Sequence, residues 1–285
     1  MARLHPLQLI SSLLVLFSCA SAQGAEPNGT PIDRIEDNSF LIEEAYNQEP
    51  GVIQHIFTAV YSKDSQRRGW EFNFTQEWPV SSQDHQFSYS IPSFHAREEG
   101  QDLRGIADIL LNYRFQALYE DERVPAFAPR FSLILPSGSR RKGTGDGVVG
   151  YQWNLPFSKK VPPRLAFHAN IGLTYLPGVR APLDAGGLSS RRSLLSPSLG
   201  ASALFALTPR VHAMLEWIGD FEESIDGAGK KQRDFVAAIS PGFRAAVIDK
   251  EELQTVVGVA LPVGVTRPAA NFGVLLYLSI EHKLF

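Results

Sequence analysis

Ionisable side chains recur at one parity of segments whose other parity is apolar, and any chemistry of this chain would sit there. The set is Glu71, Glu77, Asp108, Arg114, Arg130, His168, His212, Glu216, Arg244 and Glu281, with Lys283 after them. Metal binding would need ligands converging at short spacing. His168 and His212 fall among carboxylates, but no close ligand spacing joins them, so no metal site is assigned. A lipid-modifying enzyme of serine–histidine type would need both groups on the apolar face. His168 and His212 have the other parity. Of the strand histidines that can be registered only His282 points outward, with no outward serine beside it, so no catalytic residue is assigned. No glycine-rich phosphate motif occurs, and no cofactor is expected. An electrostatic role remains: the charges either pair into a network that braces an interior, or line a solute path and select by charge.

The elements that carry these charges are strands. In the stretch from Trp70 to Trp78, Trp70, Phe72, Phe74 and Trp78 alternate with Glu71, Asn73, Thr75 and Glu77, a period of two. The two tryptophans are roughly 26 Å apart along a strand, which at a tilt of about 40° matches the spacing of the aromatic girdles of an outer-membrane barrel. The alternation recurs: Ile109 to Phe115, Val149 to Phe157 with Trp153, Leu165 to Tyr175, Leu195 to Phe205, Val211 to Trp217, Phe235 to Phe243, Leu253 to Leu261 and Val274 to Leu284 all repeat it. The pattern predicts about twelve strands of roughly ten residues, the length that crosses a bilayer at a barrel's tilt, whereas ordinary strands average roughly five or six. Trp70, Trp78, Trp153 and Trp217 would face lipid. Short connectors (residues 79–84, 120–124, 158–163, 208–209 and 249–251) alternate with longer ones (93–103, 136–147, 177–193, 220–231 and 264–271), as periplasmic turns and outer loops do. Gly150, Gly172, Gly200 and Gly258 on the charged parity leave room inside.

The remaining features bound the class. Residues 7–17 form an apolar run followed by Ala20-Ser21-Ala22, which reads as a signal peptide cut after residue 22. A rival reading takes Leu16-Phe17-Ser18-Cys19 as a lipoprotein box. Cys19 is the only cysteine, so the mature chain would have no disulfide. A net charge of -3 with 20% charged residues gives no basic excess for nucleic acid. Beyond the leader no run of eighteen apolar residues occurs, which excludes a helical membrane protein but not a barrel. Residues 23–50 read as a periplasmic lead-in, or alternatively as a plug folded into the barrel mouth. The loop at 136–147 carries Arg140, Arg141 and Lys142, which could meet lipopolysaccharide phosphates.

The stretch Asp37-Asn38-Ser39-Phe40-Leu41-Ile42-Glu43-Glu44-Ala45-Tyr46-Asn47-Gln48-Glu49-Pro50-Gly51, with Gly105-Ile106-Ala107-Asp108-Ile109, the loop entry Leu135-Pro136-Ser137-Gly138 and the terminal Phe285, resembles a family of exported bacterial proteins labelled the meta-pathway of phenol degradation, or transporter-like, group. The resemblance covers most of the mature chain. It implies an outer-membrane barrel and a channel for small, often aromatic, compounds. One departure is that the parity of Phe285 carries Lys283, Glu281 and Ser279, so either a bulge shifts the last residue or Leu284 faces lipid.

The expectation is therefore an all-β chain: signal peptide over 1–22, lead-in over 23–50, and an antiparallel transmembrane β-barrel over 51–285 with both termini periplasmic. It would act as a narrow channel or facilitator for small solutes, aromatic or hydrophobic ones included. The alternative is a closed structural or assembly barrel, and a lipid-modifying enzyme is the weaker third reading. The expected partners are outer-membrane lipids and lipopolysaccharide, the barrel-assembly machinery and a small-molecule solute.

Overall fold

In a computed structural model the described residues are 30–284, except 36, 64–66, 99–100, 181–190, 227–228 and 268. The leader and its cleavage site, the lipoprotein box and Phe285 lie outside them. Twelve antiparallel strands follow one another around a closed barrel: β1 Val52–Lys63, β2 Arg67–Val80, β3 Ser82–Glu98, β4 in two pieces (Gln101–Ile106 and Ile109–Phe115), β5 in two pieces (Ala126–Phe127 and Arg130–Leu135), β6 Gly150–Val161, β7 Leu165–Arg180, β8 Arg191–Thr208, β9 Val211–Ile225, β10 Lys231–Lys250, β11 Leu253–Ala260 with Val263–Gly264, and β12 Phe272–Lys283. Each strand pairs with its sequence neighbours. The seam closes where β1 meets β12 in unbroken register from Val52 opposite Lys283 to Lys63 opposite Phe272. Closure joins the first strand to the last, as a hydrocarbon surrounding demands, while the upper piece of β4, Gln101–Ile106, pairs with β3 alone.

The parity read from the sequence is the parity of the wall. Phe57, Phe72, Trp153, Ile171, Leu199, Leu215, Phe243, Val257 and Leu276 are exposed on the outside, and Gln54, Thr75, Asn112, Ser132, Asn154, Ser202 and Ser240 are buried inside. Trp70 stacks with Phe72 at 5.9 Å and meets Tyr61 at 5.4 Å near one end of β2. Trp78 packs on Phe87 at 5.2 Å near the other. Trp153 and Trp217 share the outward parity of their strands.

Three expectations need correction. The strands are not uniformly about ten residues: β10 has 20 and β8 has 18. Polar residues assigned to loops, among them 93–98, 220–225 and 177–180, continue the ladders beyond the apolar belt, where cross-strand pairs such as Arg233–Glu223 hold them. One connector at the turn end, residues 116–125, is ten residues long rather than a tight turn, and Asp121 caps it by accepting the N–H groups of Arg123 and Val124, which hold its carboxyl below the usual range. Finally, His282 is not the single outward histidine. His55 stacks on it at 5.4 Å, and His85 lies against Tyr113 and Phe115 on the same outer face. At the last strand no bulge interrupts the pairing, and Leu284 is half exposed with its N–H bonded to the Gly51 carbonyl.

A charge placed in the apolar belt should be costly. Ile171→Arg is expected to lower the unfolding free energy in lipid vesicles by ~2–4 kcal/mol in a urea titration, and a cost under about 1 kcal/mol would place residue 171 at an interface instead of in hydrocarbon.

Candidate functional site: the lumen and the segment inside it

Residues 30–50 lie inside the barrel. The segment starts at the turn end with the short 3-10 helix Pro31–Arg34. There the N–H of Ile32 donates to Pro163 O, Arg34 pairs with Asp249, and Lys160 pairs with Asp33. It rises to an apex over residues 40–43 and returns to the turn end, where Asn47 Nδ2 donates to the Gln83 and Asp84 carbonyls before Gly51 leads into β1.

An irregular backbone away from water must find partners for its own polar groups. Here the partners are side chains of the wall. Arg244 donates to the carbonyls of Ile35, Asp37 and Asn38. Glu216 accepts the N–H groups of Leu41 and Ile42 at 2.8 and 3.3 Å. Asn170 accepts from Glu43 N and donates to Glu43 O, the two-bond grip a neighbouring strand would give. Gln116 does the same for Asn47 N and Ala45 O. Ser158 accepts from Ala45 N, and Gln86 accepts from Gln48 N. Arg114 reaches the carbonyls of Glu44 and Tyr46 and the Asn47 side chain.

Ion pairs tie the apex. Glu43 bridges Arg114 at 3.1 Å and Arg130 at 2.8 Å, and Asn154 donates to the same carboxylate. Below it, Asp37 accepts from Gln54 and from Tyr277. Apolar side chains of the segment enter sockets left by wall glycines. A Cβ on Gly258 would lie 2.1 Å from Phe40 Cζ, and one on Gly200 would lie 2.3 Å from Ile42 Cδ1. Phe40 also packs on Tyr277 at 4.8 Å. The glycines that leave room in the lumen are thus, at these two positions, filled by the segment.

The residues singled out from the sequence fall into three groups. Arg114, Arg130, Glu216 and Arg244 all bond to the segment. His212 belongs with them, its Nε2 lying 3.2 Å from Pro31 O. Glu77, His168 and Glu281 stand beside the segment: Glu77 accepts from Gln86, His168 Nδ1 lies 2.6 Å from Ser158 Oγ, and Glu281 lines a cavity at the turn end. Glu71 and Asp108 lie apart, toward the loop end. The Asp108 carboxylate accepts the N–H groups of Gly138 and Asp146 and so ties the loop after β5 to the rim. Asp146 beside it is half-buried, and burial first, then the Asp108 charge, raise its carboxyl.

Sequence reasoning passed over the amides Asn154, Asn170, Gln86 and Gln116, because uncharged polar residues on an inward parity look like generic lumen wall. Their common signal is spacing opposite a polar segment that cannot form a strand. The Ser158–His168 pair has the atoms of a nucleophile and base. The serine oxygen also accepts Ala45 N–H, so the pair ties the segment to the wall, and among the described residues no carboxylate is hydrogen-bonded to His168. Among the described residues no three His, Cys, Asp or Glu side chains converge as a metal cluster.

The segment divides the lumen. On its loop side lies a cavity of about 360 Å³ whose floor is residues 38–43 and whose wall carries the charged Glu77 and Arg130, the polar Asn73, Thr75, Ser88, Ser90, Asn112, Gln152 and Asn154, and Ile56, Leu110 and Tyr277. On its turn side lies one of about 210 Å³, lined by Glu44, Tyr46, Lys160, His168 and Glu281 among others.

Two substitutions test how the segment is held. Gly258→Leu should expel Phe40 from its socket, and Arg244→Ala should free three carbonyls. In each case hydrogen exchange at Leu41, Ile42 and Glu43 is expected to speed up tenfold or more, about 1.4 kcal/mol of lost protection, while heat-modifiable gel mobility still reports a folded barrel. Unchanged exchange in both would mean that the segment is held elsewhere.

No protein-family model matches the sequence, and no curated protein matches it. Solved structures do resemble it. The COG4313 outer membrane channel from Pseudomonas putida F1 superposes with a TM-score of 0.61 at 11% identity, over 84% of this chain and 97% of that one. The NanC porin superposes with a TM-score of 0.51 at 10% identity, over 81% of this chain and all of the other. At such identities the likeness is one of fold: this chain has the closed antiparallel barrel of outer-membrane channels.

Proposed function

We propose that this protein is an outer-membrane facilitator for small solutes, with both termini toward the periplasm and residues 30–50 as the element that occludes its lumen. The carrying observation is how the segment is held. It pairs with no strand, and the residues that could select a solute, Arg114, Arg130, Glu216 and Arg244, are engaged by its backbone and by Glu43. The segment is held by side chains and by no strand ladder, so its release would part no strand pair of the barrel. Twelve strands lie between the packed interior of about eight and the open channel of about sixteen. The loop-side cavity combines hydroxyl and amide groups and the charged Glu43, Glu77 and Arg130 with an apolar patch of Phe40, Ile56, Leu110 and Tyr277. That lining suits small amphipathic molecules, and it accords with the aromatic compounds implied by the resemblance to the phenol-degradation group. The terminal strand, with Leu276, Leu278 and Leu284 outward, is the part that the barrel-assembly machinery would recognise.

A second reading is a closed structural barrel. It is favoured by the glycine sockets and by the saturation of Arg114, which bonds to Glu43, Glu44, Tyr46 and Asn47. Conductance in a planar bilayer separates the two. The full chain is expected to give small or no steps, and a chain lacking residues 23–48 larger ones. In that shortened chain Arg130→Glu should then shift selectivity toward cations. Absence of conductance from both chains, in protein shown to be folded, together with no solute uptake by the full chain, would leave the closed barrel.

A further inference from the structure

We propose that the outer face of β1–β4 at the loop end, completed by the loop after β5, is a binding site for the phosphate groups of the outer-leaflet glycolipid. The inference rests on the outer-membrane reading above, because only there does this face meet such a lipid.

The strand register builds the site. Tyr61 lies opposite Trp70, Trp70 opposite His95, and His95 opposite Arg104. This row carries the outer girdle, since Trp70 and Tyr61 stack on the lipid side of the wall. Two residues further toward the loops the same face presents Lys63, Arg68 and Arg97 in one cross-strand row, ending at Asp102. Arg104 stands beside that row, and the 3-10 helix Arg140–Lys142 brings Arg141 and Lys142 to it. Lys63, Arg68, Arg97, Arg104, Arg141 and Lys142 are all exposed. Against them the described residues of the patch set one acid, Asp102, in a long contact of 3.6 Å with Arg97.

The surface is also shaped. A cavity of about 310 Å³ lies between Tyr61, Arg68, His95, Arg97 and Asp102, and one of about 880 Å³ between Asp102, Arg104, Arg141 and Lys142. Asp102 lines both, so they adjoin. The cationic loop is fixed in place. Asp108 holds Gly138 N and Asp146 N, Ser137 Oγ donates to Ala107 O, and Thr144 Oγ1 accepts from Ser139 N. A loop serving only solubility would need no such ties.

The chemistry then selects the occupant. Exposed arginines in a row repel one another and gain little as isolated surface charges. Guanidinium groups bind phosphate in two-pronged fashion. Cations placed immediately beyond an aromatic girdle sit at the depth of lipid headgroups. A glycolipid with phosphorylated sugars places two anions at that depth, with its acyl chains running down past Trp70 and Phe72.

The test titrates lipid A, and lipid A with its phosphates removed, into the full-length folded barrel in lipopolysaccharide-free detergent, with binding read by native mass spectrometry. The phosphorylated form is expected to bind at least tenfold tighter. Arg104→Ala/Arg141→Ala/Lys142→Ala should abolish that preference, whereas the charge-matched Arg191→Ala/Arg192→Ala/Lys230→Ala, on β8 and just before β10, should keep it. Equal binding of both lipids, or equal loss in both triple variants, would overturn the site. Displacement by millimolar inorganic phosphate alone would make it an anion site and overturn the glycolipid. Conductance of the shortened chain in lipopolysaccharide-free bilayers should be the same with and without the first triple variant, which separates this site from the lumen. Protein that inserts into no bilayer would overturn the outer-membrane reading and this site with it.

Discussion

A peptide group removed from water needs a hydrogen-bond partner, and the molecule meets that requirement twice by different means. Along the wall the partners are other strands, and the seam between β1 and β12 makes the ladder endless. Inside, the described residues of the segment over 30–50 join no strand ladder. Its N–H and C=O groups are met by side chains that rise from the wall at the right heights. The inward face of the barrel therefore reads as a receptor for backbone. Arginines meet carbonyls, carboxylates and amide oxygens meet N–H groups, and Asn170 and Gln116 offer both at once.

The charge arrangement follows from the same requirement. Arginine suits the task because its planar fork reaches several carbonyls from one anchored stem, which a lysine cannot do. Two arginines brought near the apex would repel each other without an anion, and Glu43 supplies it from the segment itself. Removing one member of such a set leaves charge in a poorly hydrated place, which costs more than the pair contributes. The pairing therefore specifies where the segment sits more than it adds to stability. Glu216 shows the same economy: one oxygen takes two successive N–H groups at the apex, a pattern otherwise met at helix N-termini.

Most of the wall was legible in the sequence because a strand between lipid and lumen writes its two faces as alternate letters. Trp70 to Trp78 states the parity, and the structure keeps it through Glu77, Arg114, Glu216 and Arg244. Strand ends were less legible. Beyond the membrane belt both faces are polar, so the ladders of β3, β7 and β9 look like loops. The fate of residues 30–50 was not legible as geometry. A segment bonded through its backbone imposes little on its own side chains, and its signature is dispersed over partners as far away in sequence as Arg244. Only Phe40, Ile42 and Glu43 carry local information, and it is intelligible only once Gly258, Gly200, Arg114 and Arg130 are placed around them. Asp108 shows what parity leaves out: it gives a side chain's direction but not its height.

Both limbs of the inner segment start and finish at the same rim. Ile32 is pinned by Pro163 and Asn47 by Gln83 and Asp84, all at the turn end. The segment is thus a finger inserted from below, not a thread passed through. It is held by side chains of the wall, so no strand pair and no bond of the seam depends on it. The segment runs through Gly51 directly into the first strand, so its apex is tethered by a few residues to the wall that surrounds it.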